Sequence, residues 1–270
     1  MSRVRVGDID IYYEMRGEGE SLLYISGTGG DLRRTPTVFN APVAKYFRIL
    51  AYDQRGMGQT DKPDKPYTMA DYADDANGLL TRLGLDCTNV MGVSFGGMVA
   101  QELAIRHPEK IRRLVLACTS SGGAGGSSYP LHDLQNLPVR ERIQRQMELA
   151  DNRRDKRWQE ANQGQWESII SDSITSLAAY SDEPGHEIGQ RRQLEARRHL
   201  DTYDRLPQLK MPVYICGGLF DGIAPPQNLQ AMKKQIPNAT LELFQGGHTF
   251  LIQDHNAWQR IISFLRGEIP

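Results

Sequence analysis

Apolar and polar positions alternate with a period of two over the first 26 residues. Ile9, Ile11 and Tyr13 stand between polar neighbours in the stretch Ile9 to Arg16, flanked by shorter runs at Arg3 to Val6 and Leu22 to Ile25. Such alternation predicts half-buried strands. Gly7-Asp8 and Gly17-Glu18-Gly19 supply the turns, so the chain opens as an antiparallel unit. The rhythm then changes. Phe47 to Tyr52, Val90 to Val93, Leu114 to Ala117, Val213 to Cys216 and Leu241 to Phe244 are short apolar runs interspersed with amphipathic segments of helical length. Buried strands separated by helices predict an α/β fold: a mostly parallel, eight-stranded sheet with helices on both faces.

Between the runs at 114–117 and 213–216 this pattern stops. From Ser120 to about Leu206 there is no buried-strand candidate, only the glycine-rich Gly122-Gly123-Ala124-Gly125-Gly126 and charged helical stretches carrying Trp158 and Trp166. The strands on either side need each other as neighbours. The segment 121–206 is therefore expected to be a helical cap inserted into one core made of 1–120 and 207–270, rather than an independent domain. Small residues at 122–126 suit either a hinge for the cap or a plain flexible connector.

Composition narrows the function classes. A hydrophobic fraction of 39% with a mean hydropathy of -0.51 describes a chain that can bury a sizeable core without being membrane-embedded or disordered. Lys plus Arg number 32 against 33 Asp plus Glu, and a net charge of -1 leaves no global field to hold nucleic acid. The longest apolar runs, such as Leu114-Val115-Leu116-Ala117-Cys118, fall far short of a bilayer span, and the first residues carry no secretory apolar stretch. Cys87, Cys118 and Cys216 are widely separated, with no C-x-x-C pair to suggest zinc or redox chemistry. Reduced thiols in a cytoplasmic protein are expected, with a small molecule as partner and neither nucleic acid nor membrane; the sequence specifies no oligomeric state.

The strongest chemical signal is Gly92-Val93-Ser94-Phe95-Gly96-Gly97, which ends one apolar run and opens directly into a helical pattern carried by Met98, Val99, Leu103 and Ala104. G-x-S-x-G between a strand and a helix is a nucleophile elbow, a tight turn that lifts a serine out of the sheet. Gly92 and Gly96 remove side chains that would collide across the turn, and Ser94 should adopt an uncommon backbone conformation.

A serine nucleophile needs a base, itself oriented by a carboxylate, and behind such an elbow they follow in the order Asp or Glu, then His. Val213-Tyr214-Ile215-Cys216-Gly217-Gly218-Leu219-Phe220-Asp221 is a buried strand running through glycines into an acid. Leu241-Glu242-Leu243-Phe244-Gln245-Gly246-Gly247-His248 repeats that form with a histidine. Asp221 and His248 are thus the expected partners. The chain after Leu114 to Ala117 offers Cys118-Thr119-Ser120 and no competing carboxylate. His107 precedes a proline at a helix end, His132, His186 and His199 lie in the insert, and His255 has no strand before it. Two backbone N–H groups would hold the oxyanion: that of Phe95, after the nucleophile, and that of Thr28 in Ser26-Gly27-Thr28-Gly29-Gly30-Asp31. This loop lacks the Gly-Lys-Ser/Thr ending of a phosphate-binding P-loop.

With these motifs in place, the chain resembles the α/β-hydrolase superfamily, and within it the lid-bearing bacterial esterases and enol-lactonases. Asp53-Gln54-Arg55-Gly56-Met57-Gly58 is similar to that family's D-x-R-G-x-G segment, whose Asp53 and Arg55 are expected to tie loops together. Many relatives carry His-Gly-x-G where this chain has Ser26-Gly27-Thr28-Gly29, so a loop-bracing histidine is missing. The resemblance implies an α/β-hydrolase fold and cofactor-free, metal-free hydrolysis of a small carboxylic ester or lactone through an acyl-enzyme on Ser94. Hydrolytic C–C cleavage, perhydrolysis, amide hydrolysis and a slow-turnover ligand receptor remain open on the same residues. Gly27, Tyr129, Leu131, Trp158 and Trp166 are candidates to border the substrate, with Leu134 and Tyr180 beside them, although aromatics at such spacings more often serve simple packing between cap helices and core. The cap's arginines are balanced by Asp and Glu, but one pointing inward would favour an anionic substrate.

Overall fold

A computed structural model describes residues 2–269. Its strands are β1 (Ser2–Val6), β2 (Ile9–Arg16), β3 (Ser21–Ile25), β4 (Arg48–Tyr52), β5 (Thr88–Val93), β6 (Ile111–Ala117), β7 (Val213–Gly218) and β8 (Ala239–Phe244). They form one eight-stranded sheet in the order β1-β2-β4-β3-β5-β6-β7-β8. The pairs β1/β2 and β2/β4 are antiparallel and the rest parallel, as the change of rhythm in the sequence predicts. Each expected strand is present. The largest shift is in β6, which begins at Ile111 because its pairing with β5 continues past the surface residues Arg112 and Arg113.

The core helices are α1 (Met69–Arg82), α2 (Phe95–Arg106), α7 (Pro226–Gln235), α8 (Phe250–Gln253) and α9 (His255–Leu265). Alternate residues of each strand feed opposite layers. Leu23, Ile25, Leu50 and Tyr52 pack with Ala73, Leu80, Met98, Leu103 and Leu229, so α1, α2 and α7 cover one face. Leu22, Ile49, Ala51 and Tyr214 pack with Val43, Phe250, Ile261 and Phe264, so α8 and α9 cover the other. Burial on both faces explains why the central strands read as continuous apolar runs. Helix α1 starts where it does because Thr68 and Asp71 form a reciprocal capping box.

Between β6 and β7 the chain forms α3 (Val139–Ala150), α4 (Lys156–Ala161), α5 (Gln163–Ala178) and α6 (His186–Arg198), and no strand. This excursion has small apolar clusters of its own: Ile143, Trp166 and Ile170, and a second set around Leu131, Leu149 and Leu194 that includes Ile223 of the core. Its two ends meet. Gly122 bridges Asp201, and a side chain on Gly122 would lie 1.8 Å from the Leu200 carbonyl oxygen. The glycine run is thus required by close packing of the returning chain, whatever motion it permits. Among the described residues no helix is long and apolar enough to cross a membrane.

Candidate active site

The parallel register aligns the carboxyl ends of neighbouring strands, with Val93 opposite Ala117, Ala117 opposite Cys216 and Gly218 opposite Phe244. Loops leaving β5, β7 and β8 therefore emerge at one edge, the crevice where open α/β sheets bind ligands. Ser94 follows β5, Asp221 follows β7 and His248 follows β8.

Ser94 has φ 55° and ψ -116°, a region disfavoured for residues with a Cβ. The surroundings hold it there. Its N–H donates to the Ala117 carbonyl at 2.8 Å, and its own carbonyl accepts from Thr119 Oγ1 at 2.8 Å and from the Gly97 N–H at 2.9 Å. The turn leaves no room for side chains: a Cβ on Gly92 would lie 2.3 Å from the Gly96 carbonyl oxygen, and one on Gly96 would lie 2.0 Å from that of Ile25.

His248 Nε2 lies 2.9 Å from Ser94 Oγ, and Nδ1 lies 2.7 Å from Asp221 Oδ2. Asp221 is 1% exposed, and its other oxygen accepts from the N–H groups of Ile223 at 2.8 Å and Ala224 at 2.9 Å. An ionised carboxylate can only accept, so Nδ1 carries the hydrogen and Nε2 accepts from the serine hydroxyl. The structure brings these three residues together as expected, and adds a support absent from the sequence reading. The end of α3 in the excursion is clamped between both loops: Ala150 O accepts the His248 N–H at 2.6 Å, and Leu149 O accepts the Gly222 N–H at 2.9 Å. Cys118, which follows β6 at the same edge, is fully enclosed, and burial pushes its thiol well up, away from the nucleophilic thiolate form.

Residues 26–30 fold beside Ser94, where a Cβ on Gly27 would sit 3.5 Å from Ser94 Cβ. Neither the Thr28 N–H nor that of Phe95 has a partner among the described residues, and Phe95 opens α2, where the first amides have no intrahelical acceptor. The missing histidine is replaced by two glutamines. Gln54 Nε2 donates to the Ser26 carbonyl at 2.8 Å, and the Gly29 N–H donates to Gln193 Oε1 at 2.8 Å. Asp53 and Arg55 are structural ties as expected. Asp53 accepts from the Leu32 N–H at 2.7 Å and the Gln59 N–H at 2.8 Å, while Arg55 pairs with buried Asp75 at 2.8 Å. Burial pushes the Asp53 carboxyl up to about 6 despite those amide bonds.

A cavity of about 480 Å³ opens over Ser94 and His248, mostly apolar in lining. Gly27 and Leu131 border it as expected, and Thr28 does too. Tyr129, Trp158 and Trp166 do not. Trp158 and Trp166 meet edge to face, 6.5 Å apart, and fill the apolar interior of the excursion with Ile143 and Ile170, while Tyr129 packs beside Leu134. Tyr180 lies outside as well, under the Arg33 guanidinium. Large aromatic area found more burial between helices than at the cavity wall. In their place stand Arg34, Arg142 and Gln193. Neither arginine makes an ion pair among the described residues, no Asp or Glu borders the cavity, and Arg34 Nε and Gln193 Nε2 are buried without partners. No sequence signal separates these polar residues from their many surface counterparts.

Comparison with known proteins bears on the fold and the family. A family profile described as alpha/beta hydrolase fold matches residues 20–154. A 2-hydroxymuconate semialdehyde hydrolase of Pseudomonas putida is 29% identical, the match covering 92% of this chain and 87% of that protein. A putative carbamate hydrolase, RutD, of a Caulobacter species is 25% identical over 97% of this chain and 98% of its own. Among solved structures, the enol-lactonase of Burkholderia xenovorans superimposes with a TM-score of 0.78 at 21% identity, covering 98% of this chain and 100% of that one.

Proposed function

This chain belongs to the α/β-hydrolase fold family, and from that premise we propose that it is a serine hydrolase of a small carboxylic ester or lactone, with Ser94 as nucleophile. One observation carries the reading: the continuous contact from Asp221 through His248 to Ser94 Oγ, at 2.7 and 2.9 Å, beneath a cavity of substrate size.

Ser94 Oγ gives its proton to His248 Nε2 as it attacks the carbonyl carbon. The tetrahedral oxyanion forms between the free N–H groups of Thr28 and Phe95, preorganised donors that gain strength as charge develops. Collapse breaks the acyl–oxygen bond, and His248 returns the proton to the leaving alkoxide, giving an acyl-enzyme. Water then gives a proton to His248 and attacks the acyl carbon, and Ser94 leaves with that proton. Asp221 orients the ring and stabilises the imidazolium throughout. Each step uses side chains, amides and water alone.

The segment 121–206 acts as the cap that selects the substrate. Arg34 and Arg142, with no acid beside them in the cavity, favour a substrate whose far end is a carboxylate. A second reading, hydrolytic C–C cleavage on the same triad, is favoured by the 29% identity to a 2-hydroxymuconate semialdehyde hydrolase.

The test is a panel of p-nitrophenyl esters and lactones, neutral and carboxylate-bearing, beside 2-hydroxymuconate semialdehyde itself. Ester or lactone turnover that falls by several orders of magnitude in Ser94→Ala, with unchanged circular dichroism, is the expected result. A variant keeping more than about a tenth of wild-type activity would overturn the nucleophile assignment. Faster cleavage of the semialdehyde than of every ester would replace the ester reading with the C–C one. Tight binding with about one turnover would make the protein a receptor.

A further inference from the structure

The buried charged residues are nearly all matched. Arg55 meets Asp75, Glu102 meets Arg205, Asp151 meets Arg153 and Asp221 meets His248, while Asp53 takes two amides. Arg197, in the last turn of α6 and 7% exposed, is the exception: no carboxylate pairs with it among the described residues. Its Nη2 donates to Ser128 Oγ and to the Tyr129 carbonyl, neutral groups that leave the full positive charge in place. Nη1 is buried with no partner at all. Burial without a compensating anion pushes this guanidinium down to about 10. A solitary enclosed cation is among the costliest arrangements in a protein interior, and is normally relieved by a counter-charge.

The space for that counter-charge is present. Arg197 borders a partly enclosed cavity of about 270 Å³, together with Ser120, Ser127, Ser128, His132 and Arg198, and no Asp or Glu lines it. Ser120 Oγ accepts from Asn228 Nδ2 and Ser128 Oγ accepts from Arg197, so both hydroxyl hydrogens are free to donate. His132 Nδ1 is a second buried nitrogen without a partner.

We propose that this cavity binds a small oxyanion, inorganic phosphate or sulfate, on Arg197 Nη1 and the flanking serine hydroxyls. The site is separate from the cavity over Ser94, with which it shares no bordering residue. Its walls come from both parts of the molecule, Met98 of α2 and Ser120 from the core, and 127–130 and α6 from the excursion. A bound oxyanion therefore fastens the base of the excursion to the core.

The full-length protein is melted in rising phosphate, and separately sulfate, at an ionic strength held constant with sodium chloride. Occupancy should raise the melting temperature saturably, by about 5–10 °C at a hundredfold excess over Kd. Arg197→Gln should abolish the rise, and the double variant Arg34→Gln/Arg142→Gln should keep it, which separates this site from the one over Ser94. Selenate soaked into wild-type crystals should give an anomalous selenium peak beside Arg197 Nη1, a readout that stands even if Arg197→Gln does not fold. No saturable rise in the wild type, a rise undiminished in Arg197→Gln, its loss in the double variant, or no selenium peak beside Arg197 would each overturn the proposal.

Discussion

Replacing Ser94 by glycine should leave the protein inactive yet more stable than replacing it by alanine. Both substitutions delete Oγ and its 2.9 Å contact with His248, so the lost hydrogen bond cancels when the two are compared. The backbone at φ 55°, ψ -116° remains. Holding a Cβ there costs about 1–3 kcal/mol, which alanine still incurs and glycine does not. Against this, glycine gains about 0.5–1 kcal/mol of extra freedom in the unfolded chain. The difference ranges from about 0 to about 2.5 kcal/mol in favour of Ser94→Gly, centred on about 1.3 kcal/mol. With a urea m-value of about 3 kcal/mol/M, that central value raises the unfolding midpoint by about 0.4 M. Ser168, exposed in the middle of α5, is the internal control: there glycine should be less stable than alanine by about 1 kcal/mol. A Ser94→Ala midpoint equal to or above that of Ser94→Gly would refute the claim that the elbow stores strain.

Asp221→Asn should preserve the fold and lower kcat by about four orders of magnitude, because an amide no longer favours the ring tautomer that accepts the serine proton; ester hydrolysis and circular dichroism measure both. Asp75→Asn leaves buried Arg55 without its main partner and should cost about 3–5 kcal/mol in urea unfolding, whereas Arg55→Met with Asp75→Leu should recover most of that loss. Asp53 has its pKa raised by burial from 3.8 to about 6, so its contribution to stability is fully present below 3.8 and is lost as pH rises through 6. The urea midpoint of the wild type should fall between those values by more than that of Asp53→Asn, and parallel pH profiles would contradict the assignment.

Much of the site was legible because its signals are local. A strand that must be buried on both faces reads as an apolar run, and a turn too tight for a Cβ reads as glycine, so β5 with Gly92 and Gly96 announces Ser94 within a few residues. The same form, strand then glycines then a polar residue, marks Asp221 and His248. Parallel pairing then dictates that all three loops leave at one edge. The departure from the family pattern was legible too, since serine at position 26 leaves the loop without the histidine that braces it in many relatives.

What did that bracing came from tertiary structure alone. Gln193 is 164 residues from Gly29, and its amide meets that loop only because α6 folds back over the sheet. The lining of the cavity over Ser94 was decided the same way. Trp158 and Trp166 carry the largest apolar area in the excursion, and that area is best buried where helix meets helix, whereas Arg34 and Arg142 border the cavity because of where their backbones arrive. Local pattern was enough for the strands, the elbow and the placing of Ser94, Asp221 and His248 after their strands, since each rests on burial or sterics within a few residues. Only the folded chain decided which side chains face Ser94 and which guanidinium is left without an acid, because both depend on the rotation and docking of helices that local pattern does not constrain.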